Sequence, residues 1–187
     1  MFEGGLGVLA VIAGWLLGHS PWESLKDRTG IELAAGCGWG VLATMPMVVV
    51  LVGLNRWPVG PFAELKRFVH QQLVPMFAGL SLCELGLLSV AAGVGEELLF
   101  RGLLQSGIAD WVGSPYGWLV GLAVASILFG VCHWLSTLYA LLATVVAVYL
   151  GVLFLTTQDL LVPIVAHALY DLIALIYLVH GRPQQRR

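Results

Sequence analysis

Charged residues are scarce in this chain of 187 amino acids. Only 11% are Asp, Glu, Lys or Arg, whereas 59% are hydrophobic, and the mean hydropathy is +0.90. An average soluble domain carries about 25% charged residues, so this composition excludes an ordinary soluble protein. It predicts an all-α, polytopic integral membrane protein whose main partner is the lipid bilayer.

Basic residues and paired cysteines are also lacking. The net charge of −2 provides no basic face for phosphates, which excludes nucleic acid as a partner. The three cysteines, Cys37, Cys83 and Cys132, are isolated in apolar segments and include no C-x-x-C pair. A disulfide framework and a zinc knuckle are therefore excluded, and we expect the cysteines to be packing residues.

Long apolar runs, in contrast, are frequent. About six of them predict six membrane spans, over residues 4–17, 31–54, 80–104, 116–132, 137–155 and 160–179. Between the second and third runs, residues 55–75 mix apolar and charged side chains at helical spacing, which predicts an amphipathic helix on the membrane surface. No repeat or linker divides the chain, so we expect one membrane domain over residues 1–187.

The basic residues predict the orientation of these spans. Six spans put both termini on one side of the membrane, and that side holds Arg56, Lys66, Arg67, Arg182, Arg186 and Arg187. The opposite side holds only Lys26 and Arg28. Because cytoplasmic loops are enriched in Lys and Arg, we expect both termini to be cytoplasmic in a multi-pass protein of a prokaryotic plasma membrane or its equivalent.

The third predicted span carries three charges in the stretch GEELLFRG. A charge at the centre of a membrane helix costs roughly 2.5 to 3.5 kcal/mol, so three charges require compensation. Glu97 and Arg101 are four residues apart and can form an ion pair on one helix face. Glu96 points about 100° away from Glu97 around the helix axis, which leaves its carboxylate for another function. The alternative is a purely structural charge cluster.

Two further spans contribute polar side chains. His133 lies at the end of the fourth span, and His167 and Asp171 lie four residues apart in the sixth. Pro163, one turn before His167, is expected to kink that helix or to open space beside the site. We therefore expect Glu96 and these polar side chains to converge on one cavity that opens toward the cytoplasmic side.

That convergence constrains the third span. In a helix that started at Pro75, Glu96 would lie about 31 Å along the axis, on the far side of the membrane from His133. The two residues can meet only if the span begins near Leu80 or if the helix breaks near Gly93 and Gly95.

The strings EELLFRG, FGVCH and HALYD together resemble a known signature. In order and spacing they are similar to E-E-x-x-x-R, F-x-x-x-H and H-x-x-x-(N/D) of the CPBP family, also called Abi or CAAX-protease-like membrane proteins. The similarity runs over about residues 93–172. It implies a CPBP-type core over about residues 75–180, with additional spans and the interfacial helix in residues 1–74.

The resemblance implies an intramembrane glutamic endopeptidase that uses no metal and no cofactor. By position in the motifs, Glu96 is the general base that activates the attacking water, and His133 helps to hold that water. Glu97 and Arg101 form the supporting pair. The implied substrates are membrane-inserted, lipidated or very apolar peptides; the sequence identifies neither the cleavage site nor an oligomeric state.

By the same resemblance, His167 and Asp171 stabilise the tetrahedral oxyanion. The last motif position is often asparagine, which can donate a hydrogen bond, whereas an ionised Asp171 only accepts. Either Asp171 is protonated, or it accepts from a ring nitrogen of His167 and fixes the imidazole. We favour the second interpretation.

Two other functions remain open from the sequence. Two histidines and one carboxylate suffice for a catalytic zinc site, so His133, His167 and Glu96 could serve a zinc metalloprotease, although H-E-x-x-H is absent. A membrane scaffold or immunity protein that retains the family fold without proteolysis would leave no trace in a single sequence.

Overall fold

The structure is a computed structural model that describes residues 3–180. Every regular element in this part of the chain is helical. The helices are α1 (Glu3–Leu17), α2 (Gly30–Arg56), α3 (Pro61–Phe77), α4 (Leu82–Val112), α5 (Gly117–Cys132), α6 (Thr137–Thr157) and α7 (Leu161–His180), with a short 3₁₀ turn at Glu23–Leu25. The predicted all-α fold of an integral membrane protein is therefore confirmed.

Fewer than six helices within residues 3–180 are long and apolar enough to count as candidate membrane spans. Three helices, α2, α6 and α7, are long and apolar enough to cross a membrane. Helices α3 and α4 together make a fourth candidate, bent by 110° between them, whereas α1 and α5 are apolar but shorter. Six spans are thus not confirmed.

The sharp corner between α3 and α4 places the start of the third predicted span. Ser81 begins α4 with a capping box: its hydroxyl accepts from the Glu84 backbone N–H (3.3 Å), and the Glu84 carboxylate accepts from the Ser81 N–H (2.8 Å). The helix then continues without a break through Gly93 and Gly95. The sequence allowed either a span that begins near Leu80 or a helix break near Gly93 and Gly95. The structure has the first, a helix that starts close to Leu80.

Helix α7 packs against α2, α4 and α6 and so lies at the centre of the bundle. Glycines allow the close approach: a Cβ at Gly93 of α4 would lie 2.7 Å from Cβ of Ala168 in α7, and one at Gly40 of α2 would lie 2.6 Å from Cβ of Val165. Helix α7 begins at Leu161, so Pro163 lies in the first turn, where a backbone N–H has no intrahelical partner. The expected proline kink beside His167 is therefore wrong.

The cysteines are not packing residues. Cys37, Cys83 and Cys132 are all exposed on the outer surface of the bundle. In a membrane-embedded chain, a thiol is compatible with a lipid-facing position because it behaves as a small apolar group.

Polar contacts hold the N-terminal end of α7. Asp159 is buried, and its carboxylate accepts from the Leu161 N–H (3.0 Å) and from the Arg28 guanidinium (3.0 Å). Ser24 Oγ accepts from the Leu160 N–H at 3.2 Å. The connection between α1 and α2 is thus fixed to the start of the central helix, six residues before His167.

The contact of Gly93 with Ala168 yields a prediction about helix packing. Gly93→Ala should destabilise the protein by about 1 to 3 kcal/mol, because the added methyl would meet the α7 backbone and force α4 away. Thermal unfolding in detergent measures this as a lower midpoint. The control is Gly86→Ala in the same helix, where a Cβ meets nothing within 4 Å; equal midpoints for the two variants would contradict the packing argument.

Candidate active site

Helix α4 changes its winding where its charges lie. Residues Leu98–Gln105 form a π-helical segment with Arg101 at its centre, and the Arg101 carbonyl accepts from the Ser106 hydroxyl at 2.8 Å. Segments of this kind are rare and frequently occur at functional sites. The wider turn lies directly after Glu96 and Glu97.

Glu97 is the centre of a buried network. Its Oε1 accepts from Arg101 Nη1 (2.8 Å) and lies 2.7 Å from His167 Nδ1. The exposed fractions are 0% for Glu97, 1% for Arg101 and 5% for His167. Because one carboxylate oxygen contacts both the Arg101 guanidinium and the His167 imidazole, it joins α4 to α7 and sets the direction of the imidazole.

Arg101 and Gln105 also tie α4 to α6. Arg101 Nη2 donates to the Ala147 carbonyl (2.8 Å), and Gln105 Nε2 donates to the Gly151 carbonyl (3.1 Å). The two donors are four residues apart on α4, and the two acceptors are four residues apart on α6. The two hydrogen bonds therefore connect one face of α4 to one face of α6. A Cβ at Gly151 would lie 2.7 Å from Gln105 Oε1, so a small residue is needed there.

Glu96 faces the other side of the network and lies between two imidazoles. Its Oε2 is 3.7 Å from His133 Nε2 and 3.9 Å from His167 Nε2, and the residue is buried, with 5% exposed. These separations are too long for direct hydrogen bonds and are suited to groups that share a water molecule.

His133 is oriented by Phe129, one turn earlier. His133 Nδ1 lies 2.8 Å from the Phe129 carbonyl, and the two rings are stacked with centroids 4.3 Å apart. A carbonyl can only accept, so Nδ1 carries the hydrogen and Nε2 is directed to Glu96. His167 has the same arrangement, with Nδ1 on Glu97 and Nε2 toward Glu96.

Asp171 contacts the opposite side of the His167 ring from Glu97. Asp171 Oδ2 lies 3.5 Å from His167 Nε2, whereas Glu97 is bound to Nδ1 at 2.7 Å. The His167 imidazole thus lies between two carboxylates, with the shorter contact to Glu97, and the interpretation that Asp171 helps to fix the ring stays a prediction. Asp171 is half-buried and faces the space in front of the imidazole.

These side chains border one cavity of about 430 Å³. Glu96, His133, His167 and Asp171 all line it, while Glu97 and Arg101 lie behind its wall. Most other lining residues are apolar and come from α2, α3, α6 and α7; among them are Leu54, Phe62, Leu65, Val69, Leu73, Phe77, Val146, Leu175 and Leu178. The predicted amphipathic helix is thus α3, and its apolar face borders this cavity.

The cavity extends from the glutamate toward the C-terminal ends of α2 and α7. Arg56, Lys66 and Arg67 lie at this end of the molecule, the end predicted to be cytoplasmic. Within residues 3–180, no group of three His, Cys, Asp or Glu side chains has an arrangement that could hold a metal ion.

An all-helical, apolar chain with ionisable groups buried around an internal cavity belongs to the class of integral membrane proteins with a polar site inside the bundle. The family model of Rce1-like type II CAAX prenyl endopeptidases matches residues 78–173, just over half of the chain. The chain therefore belongs to the Rce1-like family of membrane proteases, which confirms the resemblance to CAAX-protease-like proteins. No curated protein and no solved structure matches it.

The matched segment contains all six candidate site residues named from the sequence. Sequence reasoning had not assigned a function to Phe129 or Gln105, nor linked Glu97 to His167. Phe129 was visible as the first letter of F-x-x-x-H, and Gln105 as a polar residue four positions after Arg101. The Glu97 to His167 contact joins residues 70 positions apart and has no local sequence signal.

The shared Glu97 oxygen yields a prediction about stability. Glu97→Gln should destabilise the protein by about 3 to 5 kcal/mol, because the buried Arg101 charge loses its anionic partner and His167 keeps only a neutral amide oxygen as acceptor. A much lower midpoint of thermal unfolding in detergent is the expected result.

The matched control is Glu64→Gln, which alters an exposed pair with Arg67 at 4.0 Å. Its midpoint should stay at the wild-type value, since exposed ion pairs contribute little. A Glu97→Gln protein as stable as this control would mean that the buried network does not hold the bundle together.

Proposed function

We propose that this protein is an intramembrane endopeptidase in which Glu96 activates a water molecule for attack on a peptide bond. The observation that carries the proposal is the position of the Glu96 carboxylate, 3.7 and 3.9 Å from two imidazole Nε2 atoms at the wall of an apolar cavity. A general base needs to reach the proton that it abstracts directly or through one water, and this arrangement provides that reach.

In the proposed reaction, Glu96 removes a proton from water while the water oxygen attacks the carbonyl carbon. The carbonyl electron pair moves to its oxygen and gives a tetrahedral oxyanion. When this intermediate collapses, the C–N bond breaks, and the proton on Glu96 passes to the leaving nitrogen. The products are a carboxylic acid and an amine, and Glu96 is again a carboxylate.

The surrounding groups have separate functions in this proposal. His133, oriented by Phe129, holds the water against Glu96 through Nε2. His167, when protonated at Nε2, donates to the oxyanion, while Glu97 fixes its ring from the other side. Low-dielectric surroundings strengthen such interactions with developing charge. Asp171 lies at the oxyanion end of the site.

The apolar walls of the cavity define the proposed substrate class. A peptide bond that reaches Glu96 must enter past the side chains of α2, α3 and α7, which are mostly aliphatic or aromatic. We propose peptides that are membrane-inserted, lipidated or very apolar near the cleaved bond. The family description names prenylated CAAX substrates, so a prenylated peptide is the first probe to use.

The test is cleavage of an internally quenched peptide with a farnesylated C-a-a-X terminus, with an unmodified apolar membrane peptide as second probe. Glu96→Gln keeps the shape of the side chain but removes the base. The rate should fall by about 10² to 10⁴ while the midpoint of thermal unfolding changes little.

The control variant is Glu23→Gln, which removes an exposed carboxylate paired with Lys26 far from the cavity. It should cleave at the wild-type rate. If Glu96→Gln cleaves as fast as Glu23→Gln, or retains the full biological effect of the wild type in cells, proteolysis by this glutamate is ruled out and a scaffold function takes its place.

A further inference from the structure

The proposed site has fewer hydrogen-bond donors at its oxyanion end than the reaction requires. Asp171 lies where the family motif often has asparagine, and an ionised carboxylate has no hydrogen to donate. Oxyanion stabilisation normally uses more than one donor. His167 Nε2 can supply one, so a second donor must come from another side chain on the cavity wall.

Tyr139 is positioned to be that donor. It lines the cavity, and its phenol interacts electrostatically with both the Asp171 and the Glu96 carboxylates. Its place is fixed by the segment that carries His133: Ser136 Oγ caps α6 by accepting from the Tyr139 N–H at 3.2 Å. Tyr139 and His133 thus lie at the two ends of one short connection, and both line the cavity together with Glu96.

The Tyr139 hydroxyl has no hydrogen-bond partner within residues 3–180, although the side chain is mostly buried. The tyrosine at position 149 differs, since its hydroxyl donates to the Ala43 carbonyl at 2.8 Å. A phenol keeps its proton at neutral pH and is a good donor. A tyrosine hydroxyl at a cavity wall that is bonded to no protein group can donate a hydrogen bond to a bound ligand.

From these contacts we infer that Tyr139 is a further catalytic residue, whose hydroxyl donates a hydrogen bond to the substrate carbonyl oxygen as it becomes an oxyanion. This inference rests on the proposed function. Tyr139 supplies the hydrogen-bond donor that an asparagine at position 171 would have and that an ionised Asp171 lacks. No proton is transferred to or from the phenol in this step; the hydrogen bond strengthens as negative charge develops on the oxygen.

Tyr170 is the nearest competitor for this function. It also lines the cavity and interacts electrostatically with Asp171 and with Tyr139. Tyr170 directly precedes Asp171 on α7, whereas Tyr139 follows the connection that carries His133, whose Nε2 lies 3.7 Å from Glu96 Oε2. Tyr139 is therefore the better candidate for a bond that Glu96 hydrolyses.

The experiment compares steady-state cleavage of the farnesylated peptide by four tyrosine variants and the wild type. Tyr139→Phe should lower kcat about 10² to 10³-fold, the usual effect of losing one oxyanion donor, with KM and the thermal midpoint unchanged. Tyr170→Phe should lower kcat at least tenfold less than Tyr139→Phe does. Tyr149→Phe should lose thermal stability without losing kcat. The fourth variant combines Tyr139→Phe with Asp171→Asn. Relative to Asp171→Asn alone, its kcat should be lower by about tenfold or less, because the amide at position 171 restores a donor.

The outcomes separate this inference from the proposed function. If Glu96→Gln is inactive and Tyr139→Phe keeps wild-type kcat, the inference alone is overturned. An equal loss in Tyr170→Phe, or an undiminished Tyr139→Phe loss in the Asp171→Asn background, also overturns it. If Glu96→Gln is as active as wild type, the proposed function fails and the inference fails with it.

Discussion

One carboxylate oxygen, Oε1 of Glu97, holds the site together. It contacts Arg101 at 2.8 Å and His167 at 2.7 Å, and all three side chains are buried. A buried charge is costly unless it is paired and hydrogen-bonded, so these groups must stay together once the chain is folded. Since Arg101 also binds the Ala147 carbonyl, the network fixes α4, α6 and α7 relative to one another.

The adjacent glutamates consequently have different surroundings. Glu97 joins helices through Oε1, whereas Glu96 faces the cavity between two imidazoles. Both histidines have Nδ1 at a fixed acceptor, the Phe129 carbonyl or Glu97, so both Nε2 atoms face the cavity. There His133 Nε2 lies 3.7 Å from Glu96, and His167 Nε2 lies 3.9 Å from Glu96 and 3.5 Å from Asp171. In the proposed reaction, these fixed Nδ1 contacts would preorganise the two rings.

The sequence predicts those features of the fold and of the candidate site that depend on short, local patterns of residues. Helical spacing identified the Glu97 to Arg101 pair, and the order of three short motifs identified the histidines and Asp171. The capping box at Ser81 could also be read from the sequence. What depends on packing between distant segments was missed: the Glu97 to His167 contact, the bonds from Arg101 and Gln105 to α6, and the position of α3 against the cavity. Apolar composition indicates a membrane environment but does not fix helix length, so the predicted number of six spans is not confirmed.

The central claim is that a carboxylate, Glu96, activates the water. The most direct test is the cleavage rate of protein that has been exhaustively depleted of metal, with the metal content of the same sample measured by elemental analysis. The account predicts a full cleavage rate and no stoichiometric zinc before or after depletion. Stoichiometric zinc in the purified protein, lost together with activity and restored with it, would contradict the account and assign the imidazoles and Glu96 to a metal ion.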